Sequence, residues 1–106
     1  MAKSEIVWTP TATQQLKEIV IFWNRHNNSN TFSKKLLKTV NKTLKTISSF
    51  PFLFRKTDFI GVRVAFIFGN FSIFYRIKDN TIEVLLFWDN RKDPERLNDL
   101  MIDVLI

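Results

Sequence analysis

Apolar residues recur along the first half of the chain with a helical period. Leu16, Ile19, Val20 and Trp23 follow the i, i+3, i+4, i+7 spacing of one helix face, which predicts a helix over residues 10–25. Thr9 suits its N-cap and Pro10 its first turn, where the missing N–H costs no hydrogen bond. The polar run His26–Asn30 breaks the pattern. A second helix is predicted from Thr31 to Ser49, with Leu36, Leu37, Val40, Leu44 and Ile47 on one face and Lys34, Lys38, Lys42 and Lys45 on the opposite one. Phe50-Pro51 ends it, because a residue before proline is pushed out of the helical region. Two helices joined so briefly form an antiparallel hairpin.

Before and after this hairpin the pattern is that of strands. Ile6-Val7-Trp8 is a short β-like stretch, and Val62–Phe68, Phe71–Lys78 and Thr81–Trp88 are rich in aromatic and β-branched residues. Gly69-Asn70 and Asp79-Asn80 lie between them as two-residue hairpin turns. Such turns fix a register in which Ile67 faces Ser72, Arg63 faces Arg76, Arg76 faces Glu83 and Ser72 faces Phe87. Parity then puts Val62, Val64, Phe66, Phe68, Phe71, Ile73, Tyr75, Ile77, Ile82, Val84, Leu86 and Trp88 on a wholly apolar face, expected to pack on the helical hairpin. Arg63, Ala65, Ile67, Ser72, Phe74, Arg76, Glu83, Leu85 and Phe87 form a mixed, open face. Asp93, Pro94 and Glu95 then start a last helix lined by Leu97, Leu100, Met101, Val104 and Leu105. The expected fold is α+β in the order β-α-α-β-β-β-α. It has two layers, a helical hairpin on one face of a small antiparallel sheet, as a single domain over residues 1–106.

Composition narrows the chemistry. Hydrophobic residues make up 45% of the 106, with 11 Phe, enough for one hydrophobic core. With no Cys and a single His, the usual zinc, iron–sulfur, disulfide and thiol-nucleophile chemistries are nearly excluded, and neither metal nor cofactor is expected. No run approaches the roughly 18 apolar residues of a membrane span, and Met1–Glu5 lacks signal-peptide character, so a cytoplasmic location is expected. The net charge of +6 favours nucleic acid, a ribosome or an acidic protein as partner.

The open face carries the candidate chemistry. Arg63 and Arg76 opposite each other, with Arg91 near the strand end, would hold a phosphate through forked donors. Glu83 is the carboxylate of that face and a base candidate, although Arg76 beside it lowers its basicity; Asp58 is a second candidate. The competing reading is a solvated cross-strand charge ladder. Lys34, Lys38, Lys42 and Lys45, with Arg55 and Lys56, are candidate nucleic-acid contacts, or simply a solvated helix face. His26 reads as a surface residue. Ile67, Phe74, Leu85 and Phe87 would leave an apolar patch on the open face that needs a cover, either the last helix or a partner.

A Trp ending the first strand, a basic helical hairpin, an Arg-Val strand (Arg63-Val64) and the segment Phe87–Leu97 (Phe-Trp-Asp-Asn-Arg-Lys-Asp-Pro-Glu-Arg-Leu) resemble the RelE/ParE superfamily of toxins from bacterial type II toxin–antitoxin systems. The resemblance covers essentially the whole chain. It implies a cognate antitoxin, bound here through Ile67, Phe74, Leu85 and Phe87. It also implies a target in ribosome-bound mRNA or in DNA gyrase. Carried over by position, Arg63 and Arg91 stand at basic sites of the RNA-cleaving members. Ala65, Ser72 and Leu97 stand where those members have a second basic residue, an Arg and a Tyr. The first reading is a metal-independent, ribosome-dependent mRNA endonuclease using Arg63, Arg76, Arg91 and Glu83. The others are a non-enzymatic gyrase inhibitor and an antitoxin-binding member without activity.

Overall fold

The computed structural model describes residues 4–106. Strand β1 (Glu5–Trp8) runs into helix α1 (Pro10–Asn27) through Thr9, whose side-chain oxygen accepts from Ala12 N at 3.0 Å while Pro10 occupies the first turn. Asn28, in the left-handed region at φ 49°, closes α1, and helix α2 (Thr31–Ser49) returns antiparallel. Strands β2 (Arg55–Lys56), β3 (Val62–Ile67), β4 (Phe71–Lys78) and β5 (Thr81–Asp89) follow, and helix α3 (Pro94–Leu105) ends the chain, capped by Asp93. The α+β class and the β-α-α-β-β-β-α order stand, with β2 as an additional two-residue strand.

The sheet is mixed. Its order is β1-β5-β4-β3-β2, with β1 parallel to β5 and the other pairs antiparallel. β1 stops against Val84, and the side chains of Thr9 and of Gln15 in α1 take over the backbone of β5 from there. Thr9 Oγ1 donates to Leu85 O at 2.8 Å, and Phe87 N donates to Gln15 Oε1 at 2.9 Å.

Two local events decide which side chains face which layer. The first is the β3–β4 corner. Asn70 N donates to Ile67 O at 3.2 Å, so the corner residues are Phe68 (φ 54°) and Gly69 (φ 74°), not Gly69 and Asn70. Ile67 therefore pairs with Phe71 and Arg63 with Tyr75, one residue off the expected register. Because side chains alternate, this single step turns β3 over. Ala65 and Ile67 join the hairpin side, and Val62 and Val64 move to the other. The second event is a bulge in β5. Arg76 pairs with Glu83 as expected and Tyr75 with Val84, but Phe74 pairs with Leu86, leaving Leu85 as the extra residue. Ser72 accordingly pairs with Trp88 and not Phe87, and Phe87 turns toward the hairpin.

Both sheet faces are consequently apolar and both are covered, except at Phe66, which turns to the α3 side with Val62 and Val64 and stays 54% exposed instead of packing on the hairpin. On the hairpin side, Ala65, Ile67, Phe71, Ile73, Tyr75, Ile82, Val84 and Phe87 pack with Ala12, Ile19, Leu36, Val40, Leu44 and Ile47. On the other side, Val62, Val64, Phe74, Leu85, Leu86 and Trp88 pack with Met101 of α3, flanked by Leu97, Leu100, Val104 and Leu105. The expected two layers are thus three, since α3 seals the face that the sequence pattern left open.

The loop from α2 to β2 is tied down by a buried ring. The Tyr75 hydroxyl donates to Pro51 O at 2.7 Å beneath the edge of Phe54. Burial pushes the Tyr75 phenol up to about 12, with Arg63 opposing part of the rise.

Met101 is fully buried and is the residue by which α3 grips the sheet. Met101→Ala should cost about 2–5 kcal/mol in urea denaturation; a loss under about 0.5 kcal/mol, the size of an ordinary surface change, would mean that α3 does not hold this face. Tyr75 is the one Tyr of the chain, so tyrosinate absorbance reports it directly. Its midpoint should fall near 12 in the folded protein, against about 10 in denaturant. Because the folded value is the higher one, the stability it contributes is complete below pH about 10 and lost as pH rises toward the folded value. A native midpoint near 10 would place the ring in water.

Candidate functional site

The three arginines expected to share a phosphate are dispersed, and each has a local partner. Arg63 is on the hairpin side of β3. Its guanidinium donates to Phe54 O at 2.8 Å and Phe52 O at 3.2 Å, and it lies over the Phe52 ring at 5.3 Å. These contacts hold the α2–β2 loop against the sheet. Arg76 is on the α3 side, paired through Nε with Glu83 at 2.6 Å, both half-buried. The open face shared by Arg63 and Arg76 is therefore not formed, because the corner at Phe68 turns β3 over. Arg76 and Glu83 do meet, as the register of β4 and β5 predicts.

Arg91 lies at the other end of the sheet. Asp89 is six residues beyond Glu83 on β5, roughly 20 Å at about 3.3 Å per residue. Arg91 makes a forked contact with Asp89, Nε to Oδ1 at 3.0 Å and Nη2 to Oδ2 at 2.8 Å, and stacks on Trp23 at 5.4 Å. The Arg91 hydrogen bonds hold the Asp89 carboxyl below the usual carboxylate range, and Asp89 in turn raises Arg91. Asp58 lies far from this pair, beside Phe59 and Ile60 in a separate cleft next to Arg63.

The expected apolar patch is absent from the surface. Ile67 and Phe87 are buried under the hairpin, and Phe74 and Leu85 under α3. Exposed apolar side chains include Phe66 on β3, Ile21 and Phe22 on α1, and Phe50, Phe52, Leu53 and Ile60 in the loops around β2. A groove of about 490 Å³ runs between α1 and the end of β5, with Phe22, Trp23, His26, Asp89, Arg91 and Lys92 on its walls. Phe22 and His26 stack there at 5.7 Å. Sequence reasoning placed His26 in a loop, but it belongs to the last turn of α1 and faces this groove. Five consecutive apolar or aromatic residues before it, Ile19–Trp23, were the available signal, since one helix stripe cannot bury them all.

The lysines stand as the helical period predicts. Lys34, Lys38, Lys42 and Lys45 are exposed along α2, with Lys35 beside them over the Phe68 ring at 5.4 Å. Arg55 and Lys56 are exposed on β2. Helix α2 contains no Asp or Glu, and the ion pairs among the described residues are Arg76–Glu83 and Arg91–Asp89. Lys34–Lys38 and Lys38–Lys42 are thus like-charge neighbours at i, i+4, each costing about 0.2–0.5 kcal/mol. Lys34, at the end of the first turn, also opposes the positive end of the helix dipole. Among the described residues no group of three or more His, Asp or Glu gathers to hold a metal, and no helix is long and apolar enough to cross a membrane.

Comparison with known proteins places this architecture. No curated protein matches the chain. A solved structure described as the chromosomal ParDE toxin–antitoxin system from P. aeruginosa superposes with a TM-score of 0.69 at 18% identity, covering 82% of this chain and 96% of that one, a likeness of fold. The family model for the ParE toxin of the type II toxin–antitoxin system parDE matches residues 6–94, from β1 through β5 to the first residue of α3. The chain belongs to the ParE toxin family of type II toxin–antitoxin systems.

Proposed function

We propose that this toxin arrests growth by binding DNA gyrase, without cutting RNA, and is neutralised by a cognate antitoxin. The observation that carries the reading is the dispersal of Arg63, Arg76 and Arg91. Metal-independent RNA cleavage needs cations crowded on one phosphate and a base beside the attacking hydroxyl. Here Arg63 and Arg76 project to opposite sides of the sheet, and Arg91 sits at its far end. Glu83, the base candidate, is already engaged by Arg76 at 2.6 Å. Ala65, Ser72 and Leu97 supply no substitute: Ala65 and Ser72 are buried and neither carries a charge. An inhibitor that acts by occupancy needs shaped, charged surface instead. The aromatic groove beside Arg91 and the lysine face of α2 provide that.

The ParE family assignment supports the same direction, since the resemblance that distinguishes cutting members from gyrase-binding ones rests on the residues missing here. Two reactions run with one purified preparation test it. Gyrase should fail to supercoil relaxed plasmid in the presence of the toxin, while mRNA on programmed ribosomes stays intact. Arg76→Gln/Glu83→Gln, which removes the candidate base and its partner together, should leave inhibition within about twofold, the scale of a surface change. Discrete mRNA cuts with supercoiling unaffected would contradict the proposal.

A further inference from the structure

We infer that the lysine face of α2 is a track for the phosphates of duplex DNA, so that the toxin grips the DNA held by its target as well as the target itself. The inference rests on the gyrase reading for its biological setting. Its physical basis is separate.

At about 100° per residue, Lys34, Lys38, Lys42 and Lys45 fall within an arc of about 80°, and Lys35 lies next to it. The opposite side of α2 is buried through Leu36, Val40, Leu44 and Ile47, so the stripe points away from the protein. From Lys34 to Lys45 is about 16 Å of helix at about 1.5 Å per residue. One strand of B-DNA presents a phosphate every ~3.4 Å of axis, about five over that length, so four or five ammonium groups meet a similar number of phosphates.

A helix face that serves only solubility mixes the two signs, with Glu and Lys spaced to attract. This one has no acid in 19 residues, and Lys34 stands at the end of its first turn, against the helix dipole. The charges are arranged to repel one another in isolation. A polyanion along the stripe removes that repulsion. Lysine suits the task because phosphate tracking needs point charges, not forked recognition of a base edge. Nothing on α2 offers the Arg, Asn or Gln set of a base reader except Asn41, so binding is expected to ignore sequence.

The test is fluorescence anisotropy of the full chain with a labelled duplex of roughly 20 base pairs, between about 50 and 200 mM salt. The logarithm of affinity against the logarithm of salt should fall with a slope of about −4, as expected for four or five phosphate contacts. Lys38→Glu/Lys42→Glu should lower affinity at least about tenfold and flatten the slope by about two. The same variant makes the 34–38, 35–38 and 42–45 neighbours opposite in sign and leaves 38–42 the one like-charge pair, so its thermal midpoint should hold or rise, which separates lost contacts from lost folding. A slope shallower than about −1, an unchanged affinity in the variant, or tighter binding to single-stranded RNA than to the duplex would overturn the inference. Gyrase inhibition is read in parallel. Duplex binding without inhibition supports the track and sinks the gyrase reading; inhibition without duplex binding does the reverse.

Discussion

The β3–β4 corner is the constraint on which the rest of this structure depends. Phe68 sits in the left-handed region, where a bulky residue costs about 1–2 kcal/mol, and Gly69 follows it at no such cost. The strain is held by tertiary contacts. Phe68 packs on Phe32 at 6.2 Å and carries Lys35 over its ring, while Phe32 also reaches Phe71 at 6.5 Å. With the corner at Phe68-Gly69, β3 turns Ala65 and Ile67 into the main core and Val62 and Val64 onto the second face. The bulge at Leu85 performs the matching adjustment in β5. Together they make both faces of the sheet greasy, and α3 is the element that resolves the second one.

That arrangement has a direct chemical consequence. A sheet buried on both faces has little room for a cluster of cations, and its arginines go to the margins. Arg63 braces a loop, Arg76 neutralises Glu83, and Arg91 closes on Asp89 above Trp23. The charge left unpaired concentrates on α2, outside the sheet. The cations of this toxin are therefore spread over separate surfaces instead of gathered at one point.

The helices were legible in the sequence because their signals are local. The periodic stripes, Thr9-Pro10, Phe50-Pro51 and Asp93-Pro94 mark α1, α2 and α3 within two residues of where they lie. Strand positions were legible too, and so was the Asp79-Asn80 turn, which sets Arg76 against Glu83. The β3–β4 register was not. Glycine tolerates positive φ at either corner position, so Phe68-Gly69 and Gly69-Asn70 differ only in what they ask of their neighbour. Local preference favours Asn over Phe in the left-handed region, and packing on Phe32 overrides it. The bulge left no trace because Val84–Trp88 is apolar throughout, with no polar residue to mark a broken alternation. Two basic residues, Arg55-Lys56, likewise carry no strand signal, yet β2 forms on the edge of β3. The shared Arg63–Arg76 face, which relied on the β3–β4 register, is not formed, whereas the Arg76–Glu83 pair, which relied on β4–β5, is. The lysine positions, which rely only on the helical period, kept their geometry.

Cross-strand nuclear Overhauser contacts between α-protons in β3 and β4 test the central claim most directly. The register described here places Val64 opposite Phe74 and Val62 opposite Arg76. Contacts linking those two pairs would establish that β3 is turned over and that Arg63 and Arg76 point to different sides. Contacts linking Arg63 to Arg76 and Val64 to Tyr75 would restore a shared arginine face and contradict the account.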